Sequence, residues 1–598
     1  MDLRQLKVMF VTFFVTVLII VGIVAVVWLV AIPRFSDIEF GANREEVDYH
    51  GHHGLDQNVT SIVWDGRIMR DVVPFVSDDR LFAGETLYLP VSFLRDVIDP
   101  FIFWDEGAGV LFISSRQHML EFTPDSLTFL VNNEQRSIES PIIRDEASGE
   151  FYLPQSLVES LYPIIVEYIF SSNIMIITPH GERLNYANII SASAPVRTLN
   201  SIRGSIVETL AADDTVIILG EIDDDTEFVS VRTHSGFIGY LATRDIGDVE
   251  NRSPDITATP LLGSFIDNLT RIPPNWPSGA KINMTWDLIY QAAANQSLMQ
   301  TPLHSSVNVI SPTWFRFDAD NLNISSVASR DYVDWAHRQG VHVWPLLFDV
   351  NNATARAILM NRSARQTVIA QLVQYVDTYN LDGINIDIEH LLSPEEGPYK
   401  IQFLRELAIP MRQRNIVLSA AVKVPTPWTM FYRRDLIGLT MDFVQVMTYD
   451  EHWATSPNPG PVASIPWVDN ALIATLREVP AEQLIMGLPF YSRIWREVAL
   501  EEDSLTSRAL GMGLAREFFA ERGVTGDDWD WLDDVGSYFA EIAVIEEGQT
   551  IIYRVWLEDE ASISVKMHLF SYYNLVGVSS WFRGLESPGT WDVIAGHF

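Results

Sequence analysis

The stretch DGINIDIE (residues 382–389) decides how this chain is read. From Gly383 onward it alternates strictly. Ile384, Ile386 and Ile388 fall on one face of an extended strand, and Asn385, Asp387 and Glu389 on the other. A half-exposed strand with its acids in water would show the same alternation. The flanks argue for something else. ARQTVIAQLVQYVDTY (364–379) sets Val368, Leu372, Tyr375/Val376 and Tyr379 on one helical stripe, and LRELAIPMRQR (404–414) follows. A strand between two helices is usually parallel and covered on its apolar side, so its polar face needs another purpose. In a closed barrel of parallel strands the isoleucines pack outward under helices and the acids face the mouth, where chemistry is done.

Working outward, strand-like runs occur at INMT (282–285), SVNVI (306–310), VHVWPLL (341–347), IVLSAAV (416–422), FVQVMTY (443–449), LIMGLPF (484–490) and GVSSW (577–581). With the central stretch they make eight, mostly separated by amphipathic segments. That pattern predicts an α/β fold, a (β/α)8 barrel over 270–598. An insertion near 497–560 separates the last two strands; within it, 536–559 reads as a hairpin turning at Glu547-Gly548.

These residues carry a resemblance. DGINIDIE resembles the DG-x-D-x-D-x-E signature of glycoside hydrolase family 18, with Asn385 where that family has its first inner Asp. QVMTYDEHW (445–453) is similar to its sixth-strand motif, LPFYSRIW (488–495) to its seventh, and SSWFRGLESPGTWDVI (579–594) to its eighth strand and last helix. The subgroup of spore-germination and cortex-lytic N-acetylglucosaminidases also shares KINMTWDLIYQ, VISPTWF and GPVASIPWV in similar form. The resemblance implies Glu389 as general acid/base. Asp387 would orient the substrate acetamido group and stabilise an oxazolinium ion, and Tyr449 would steady the acetyl oxygen. Trp581 would lie beneath the sugar ring, with Asn385, Met447, Asp450, Tyr491, Arg493 and Trp314 around the substrate. Asp387 stands too near Glu389 to activate an independent water, which points to the substrate-assisted exception to the two-carboxylate scheme. Burial is expected to raise the pKa of Glu389. No metal and no cofactor is implied. A neutral Asn385 cannot pass a proton, so hydrogen bonds must manage the charge on Asp387.

Toward the N-terminus the chain changes character. Residues 8–32 hold no charged residue over 25 positions, enough to cross a bilayer, with Arg4 and Lys7 before them. Residues 1–34 are read as a transmembrane signal anchor with the bulk of the chain outside the cell, and 35–61 as a linker. In that linker His50, His52 and His53 could bind a metal, but a solvated run is the favoured reading, because the flanks show no strand or helix period to fix a ligand geometry. YLPVS (88–92) recurs as YLPQS (152–156), each before a short apolar helix-like segment and a strand. Residues 62–182 thereby resemble the small α+β domain named for the N-terminal region of copper amine oxidases. Residues 194–248 alternate in short Gly- and Asp-broken strands and resemble the all-β bacterial Src-homology-3-like (SH3-like) modules, with Gly236, Gly239 and Tyr240 in the hairpin-and-tail position. A second linker covers 249–269.

Composition bounds the rest. At 598 residues the chain exceeds one core and predicts about three or four domains. A net charge of −37 argues against nucleic acid or an anionic membrane surface as partner. With no cysteine, disulfides and thiol chemistry are excluded. Three functional readings stay open: a membrane-anchored glycosidase acting on GlcNAc-containing glycan, with peptidoglycan favoured over chitin; a silent glycan-binding protein on the same fold; and a wall-tethering protein. Oligomeric state is not legible.

Overall fold

The computed structural model describes residues 42–55, 59–64, 66–69, 75–76, 82–83, 86–223, 225–254, 258–501 and 503–598. The spanning segment expected at 8–32 lies outside the described residues. Among those described, no helix is long and apolar enough to cross a membrane. The chain divides into two compact units: Met1–Pro90 with Pro154–Phe265, and Val91–Leu153 with Ile266–Phe598.

In the first unit Val59–Trp64 runs parallel to Ile174–Pro179, with Ser61 opposite Ile174. Ile164–Ile169 flanks the latter strand antiparallel. A seven-stranded antiparallel sheet follows. Along the chain it extends from Leu184–Ile189 to Ile246–Arg252, two strands that pair with each other at one edge, so it is wider than the 194–248 read from the sequence. The stretch taken as a solvated linker is partly folded. Tyr49–His53 is a short helix capped by Asp48, and Tyr49 is buried with its ring stacked on Phe237 at 4.4 Å. The linker reading therefore fails at Tyr49, whose hydroxyl also accepts a hydrogen bond from the Ile238 backbone N–H at 3.1 Å. Among the described residues no group of side chains is arranged to hold a metal ion, the three histidines included.

In the second unit eight parallel strands close on themselves. They are β1 (Ile282–Asp287), β2 (Val309–Pro312), β3 in two pieces (His342–Val343 and Leu346–Phe348), β4 (Gly383–Asp387), β5 (Val417–Lys423), β6 (Phe443–Met447), β7 (Leu484–Pro489) and β8 (Gly577–Trp581). Each pairs with the next, and β8 returns to β1 with Gly577 opposite Ile282. Ile384, Ile386 and Ile388 of the β4 stretch are fully buried outward against Val368, Leu372, Leu404 and Leu407. Burying three such side chains stabilises this layer by about 1.5–3 kcal/mol each.

The helices on either side of β4 are α1 (Arg362–Tyr379) and α2 (Gly397–Arg412). α1 starts where the Asn361 side chain accepts from the Ala364 N–H and stops at Asn380, which takes a left-handed conformation. Gly383 is required at the base of β4, because a Cβ there would stand 2.5 Å from the Trp344 ring.

Two features depart from the linear reading. The insertion begins at Tyr491 rather than near 497: Tyr491–Val498 already belongs to a five-stranded antiparallel sheet outside the barrel. Its long hairpin, Ser537–Glu546 with Gln549–Leu557, turns at Glu547-Gly548 as expected, both with positive φ. The span 62–182 also does not stay in one unit. Both echoed motifs form strand, short helix and hairpin, but the five-stranded meander Phe103–Ser137 packs on the barrel. Arg365 on α1, fully buried, reaches Asp105 of the meander at 2.7 Å and Glu406 on α2 at 3.1 Å. Arg405 on α2 donates to Ser114 Oγ at 2.9 Å and stacks over Phe101.

Candidate active site

The polar face of β4 rises through the barrel in steps. Asn385 lies lowest and is fully enclosed. Its amide donates to Ser419 Oγ on β5 and to Gln445 Oε1 on β6, and its carbonyl accepts from Trp286 Nε1 at 3.1 Å. Expected beside the substrate, Asn385 instead braces the layer below it and does not line the cleft, because both its amide N–H donors and its carbonyl are engaged by the barrel interior.

Asp387 forms the floor of a cleft of about 490 Å³ at the mouth. Among the described residues nothing hydrogen-bonds its buried Oδ1. Burial, then the carboxylates of Glu389 and Asp349, push the Asp387 carboxyl well above the usual carboxylate range, against the pull of the Lys400 and Lys423 ammoniums. Glu389 stands two residues further out with its side chain 33% exposed, Oε2 lying 3.8 Å from Lys423 Nζ. The strongly desolvated acid is therefore Asp387, where the sequence reading had placed Glu389. The strand's rise carries the later residue toward solvent.

The main chain around Glu389 is held from several sides. Its carbonyl accepts from Lys423 Nζ at 2.9 Å and from the Tyr432 hydroxyl. Its N–H points to Asp349 Oδ1 at 3.3 Å, and Asp349 also receives the His390 N–H at 3.1 Å and pairs with the His390 ring at 2.7 Å. Lys400 Nζ donates to the Ile388 carbonyl at 2.9 Å.

Across the cleft, Tyr449 follows β6. Gly487 on β7 makes room for it: a Cβ there would stand 2.9 Å from the Tyr449 ring. Burial and the carboxylates of Asp387 and Glu389 hold the Tyr449 phenol well above its ordinary pKa, so it remains a neutral hydrogen-bond donor. Asp450, in a left-handed conformation, accepts from the Tyr491 hydroxyl at 2.6 Å and from Arg493 Nη2 at 3.1 Å. Met447, Trp581, Trp453 and Trp467 complete the walls, with Trp581 edge-on to Trp286 at 5.5 Å. Arg493, Tyr491 and Asp450 also border a side recess of about 310 Å³ under the insertion.

Glu389, Asp387, Tyr449, Met447, Asp450, Trp581 and Tyr491 thus converge on one cleft, with Arg493 at its side recess. Trp314 does not join them. It is buried in the outer core, edge-on to Tyr332 at 5.2 Å, and its Nε1 donates to Asn295 Oδ1 at 2.8 Å. Sequence reading missed Lys423, Lys400, Asp349, Tyr432 and the two wall tryptophans. Asp349 and Lys423 stand at or just past strand ends, a signal that could have flagged them. Lys400 sits on a helix, with no such signal.

Residues 351–586 match the model of the glycosyl hydrolases family 18. The chain is 25% identical over 320 residues to the uncharacterized glycosylase YvbX of Bacillus subtilis (strain 168), covering 49% of this chain and 86% of that protein. It is 25% identical over 249 residues to the cortical fragment-lytic enzyme of the same organism, covering 40% of this chain and 56% of the relative, so it spans only about half of that protein. Among solved structures, the Bacillus megaterium QM B1551 spore cortex-lytic enzyme SleL aligns with a TM-score of 0.46 at 22% identity, over 54% of this chain and 76% of the other. The protein carries a glycoside hydrolase domain of family 18.

Proposed function

We propose that this cleft hydrolyses β-linked, N-acetylglucosamine-containing glycan with retention of configuration, by substrate-assisted catalysis. The observation that carries the reading is the arrangement of Glu389, Asp387 and Tyr449. Glu389 stands at the mouth within reach of solvent and Lys423, Asp387 lies two residues deeper on the same face, and Tyr449 opposes them. Glu389 protonates the glycosidic oxygen as the bond breaks and later accepts a proton from the incoming water. Among the described residues lining the cleft, Asp387 shares the strand face of Glu389, and Asp450 is taken up by Tyr491 and Arg493, so neither is assigned as a base for an independent water. The nucleophile is the substrate's own 2-acetamido oxygen, which the recognised exception to the two-carboxylate scheme allows. Asp387 accepts from the acetamido N–H and offsets the positive charge of the oxazolinium ion. The neutral Tyr449 hydroxyl donates to the acetyl oxygen, and Trp581 supports the ring.

Peptidoglycan is the preferred substrate in this reading. A relative named for lysing cortical fragments supports it, as do the sequence features of a wall-facing protein. The segment 8–32 tethers the chain to the membrane with the barrel outside, and the SH3-like and amine-oxidase-like segments serve as wall-contacting spacers. The test is release of reducing ends from purified peptidoglycan and chitooligosaccharides by residues 35–598. Release by the wild type, lost in Glu389→Gln, supports the reading. No release by either protein, with glycan still bound, overturns it in favour of a lectin.

A further inference from the structure

Lys400 is a buried titratable group beside the cleft that the mechanism leaves unused. Lys400 lies in the first turn of α2 with its side chain essentially fully buried. Its ammonium donates to the Ile388 carbonyl at 2.9 Å and lies 4.7 Å from the centre of the Tyr432 ring. Among the described residues no carboxylate comes within ion-pair distance of it. Such a placement is costly three ways. A desolvated ammonium wants a paired anion. A cation in the first turn opposes the helix dipole. An apolar side chain of similar volume would fill the space at lower cost. Groups kept against such a cost concentrate at functional sites.

The surroundings say what the charge faces. Asp387 and Glu389 bracket the carbonyl that Lys400 holds, Asp349 approaches from the end of β3, Tyr432 from the short helical turn Met430–Tyr432 after β5, and Arg434 is a nearby cation. Inside the barrel the neighbours beneath Asp387 are Asn385, Ser419 and Gln445, all neutral. Positive compensation for Asp387 therefore comes from two sides, from Lys423 on the cleft wall and from Lys400 behind the strand, and of the two only Lys400 is fully buried.

We propose that Lys400 is a positioning residue for the reaction: a fixed ammonium, held on the Ile388 carbonyl, that keeps Asp387 able to carry negative charge as the oxazolinium ion forms. The assignment rests on the glycosidase reading above. Burial draws the Lys400 pKa down to about 8, so the compensating charge is complete below that pH and lost above it.

The test is a difference-infrared titration of the Asp387 carboxyl in the full chain, with the band assigned by its loss in Asp387→Asn. Lys400→Met should raise the midpoint by about one pH unit or more, a tenfold change in proton affinity, and Lys400→Arg should stay near wild type. If Lys400→Met fails to fold, Lys400→Gln, which keeps a donor for Ile388, carries the same comparison. An unmoved midpoint in a folded variant overturns the proposal. Both limbs of the kcat/KM pH profile should move to higher pH in Lys400→Met, whereas a merely structural role would lower the amplitude alone. A wild type inert on every glycan while the midpoint moves supports the charge coupling and overturns the glycosidase reading instead.

Discussion

Two clusters of buried charge in the barrel unit are treated in opposite ways. Between α1, α2 and the meander, Arg365 is fully enclosed with both Asp105 and Glu406 as partners and the Leu359 carbonyl as a further acceptor at 2.7 Å. Around β4, Asp387 at the mouth has an oxygen with no hydrogen-bond partner, and Lys400 behind the strand has no paired carboxylate, among the described residues. The first cluster satisfies its donors and acceptors and fixes one docking geometry. The second leaves an Asp387 oxygen open on the cleft floor, with Lys400 buried behind the strand on the Ile388 carbonyl. Charge saturated by protein is structural, and charge left open in a cleft is held in reserve for chemistry.

The comparison is tested hardest at Glu389. Its replacement by Gln should lower kcat by about 10²–10⁴-fold, the range for losing a general acid/base, while far-UV circular dichroism stays unchanged. Equal turnover by both proteins would remove the mouth cluster from catalysis.

Arg365→Met should do the reverse. Stranding Asp105 and Glu406 should cost about 3–5 kcal/mol, read as an earlier urea midpoint for the barrel unit, with kcat and KM retained below the transition. A kinetic defect at full folding would mean that the outer cluster is not purely structural.

Asp387→Asn sharpens the contrast through pH. The folded-state pKa of Asp387 lies above its unfolded value. Protonation therefore favours the folded state, and stability is lost as pH rises from the unfolded pKa through the folded one. Asp387→Asn should unfold at higher urea than wild type at pH 7, by about 1.4 kcal/mol per unit of pKa rise. That advantage should vanish near pH 3.5, and activity should be lost throughout. An equal gain at both pH values would contradict the assigned ionisation.

The smallest effect is expected at Trp314. Trp314→Phe strands the Asn295 carbonyl and should cost about 1–3 kcal/mol of stability without changing KM for glycan. A raised KM would return Trp314 to the substrate site.

How much of this was legible follows from what each signal depends on. The alternation in DGINIDIE reports strand geometry directly, because side chains on a strand must point to opposite faces. The eight strands appear close to where the apolar runs place them, and the seven side chains gathered on the cleft, with Arg493 beside it, came from motifs at strand ends. What failed was depth. Asn385, Asp387 and Glu389 share one face, yet one is sealed under Trp286, one forms the floor and one meets solvent. Trp314 failed for a related reason: an aromatic just past a strand end can turn into the mouth or into the helix layer, and spacing does not distinguish them.

The sequence by itself determined the barrel, its polar inner face and the pairing of Asp387 with Glu389, because each follows from periodicity along a few adjacent residues. Only the tertiary structure decided which acid is desolvated, that Lys400 stands behind Asp387, that Tyr491 opens the insertion's sheet, and that Arg365 joins Asp105 across 260 residues of chain. Those are matters of burial and of contact between distant segments. Electrostatic free energy depends on the dielectric and charges surrounding a group in space, which no local pattern encodes.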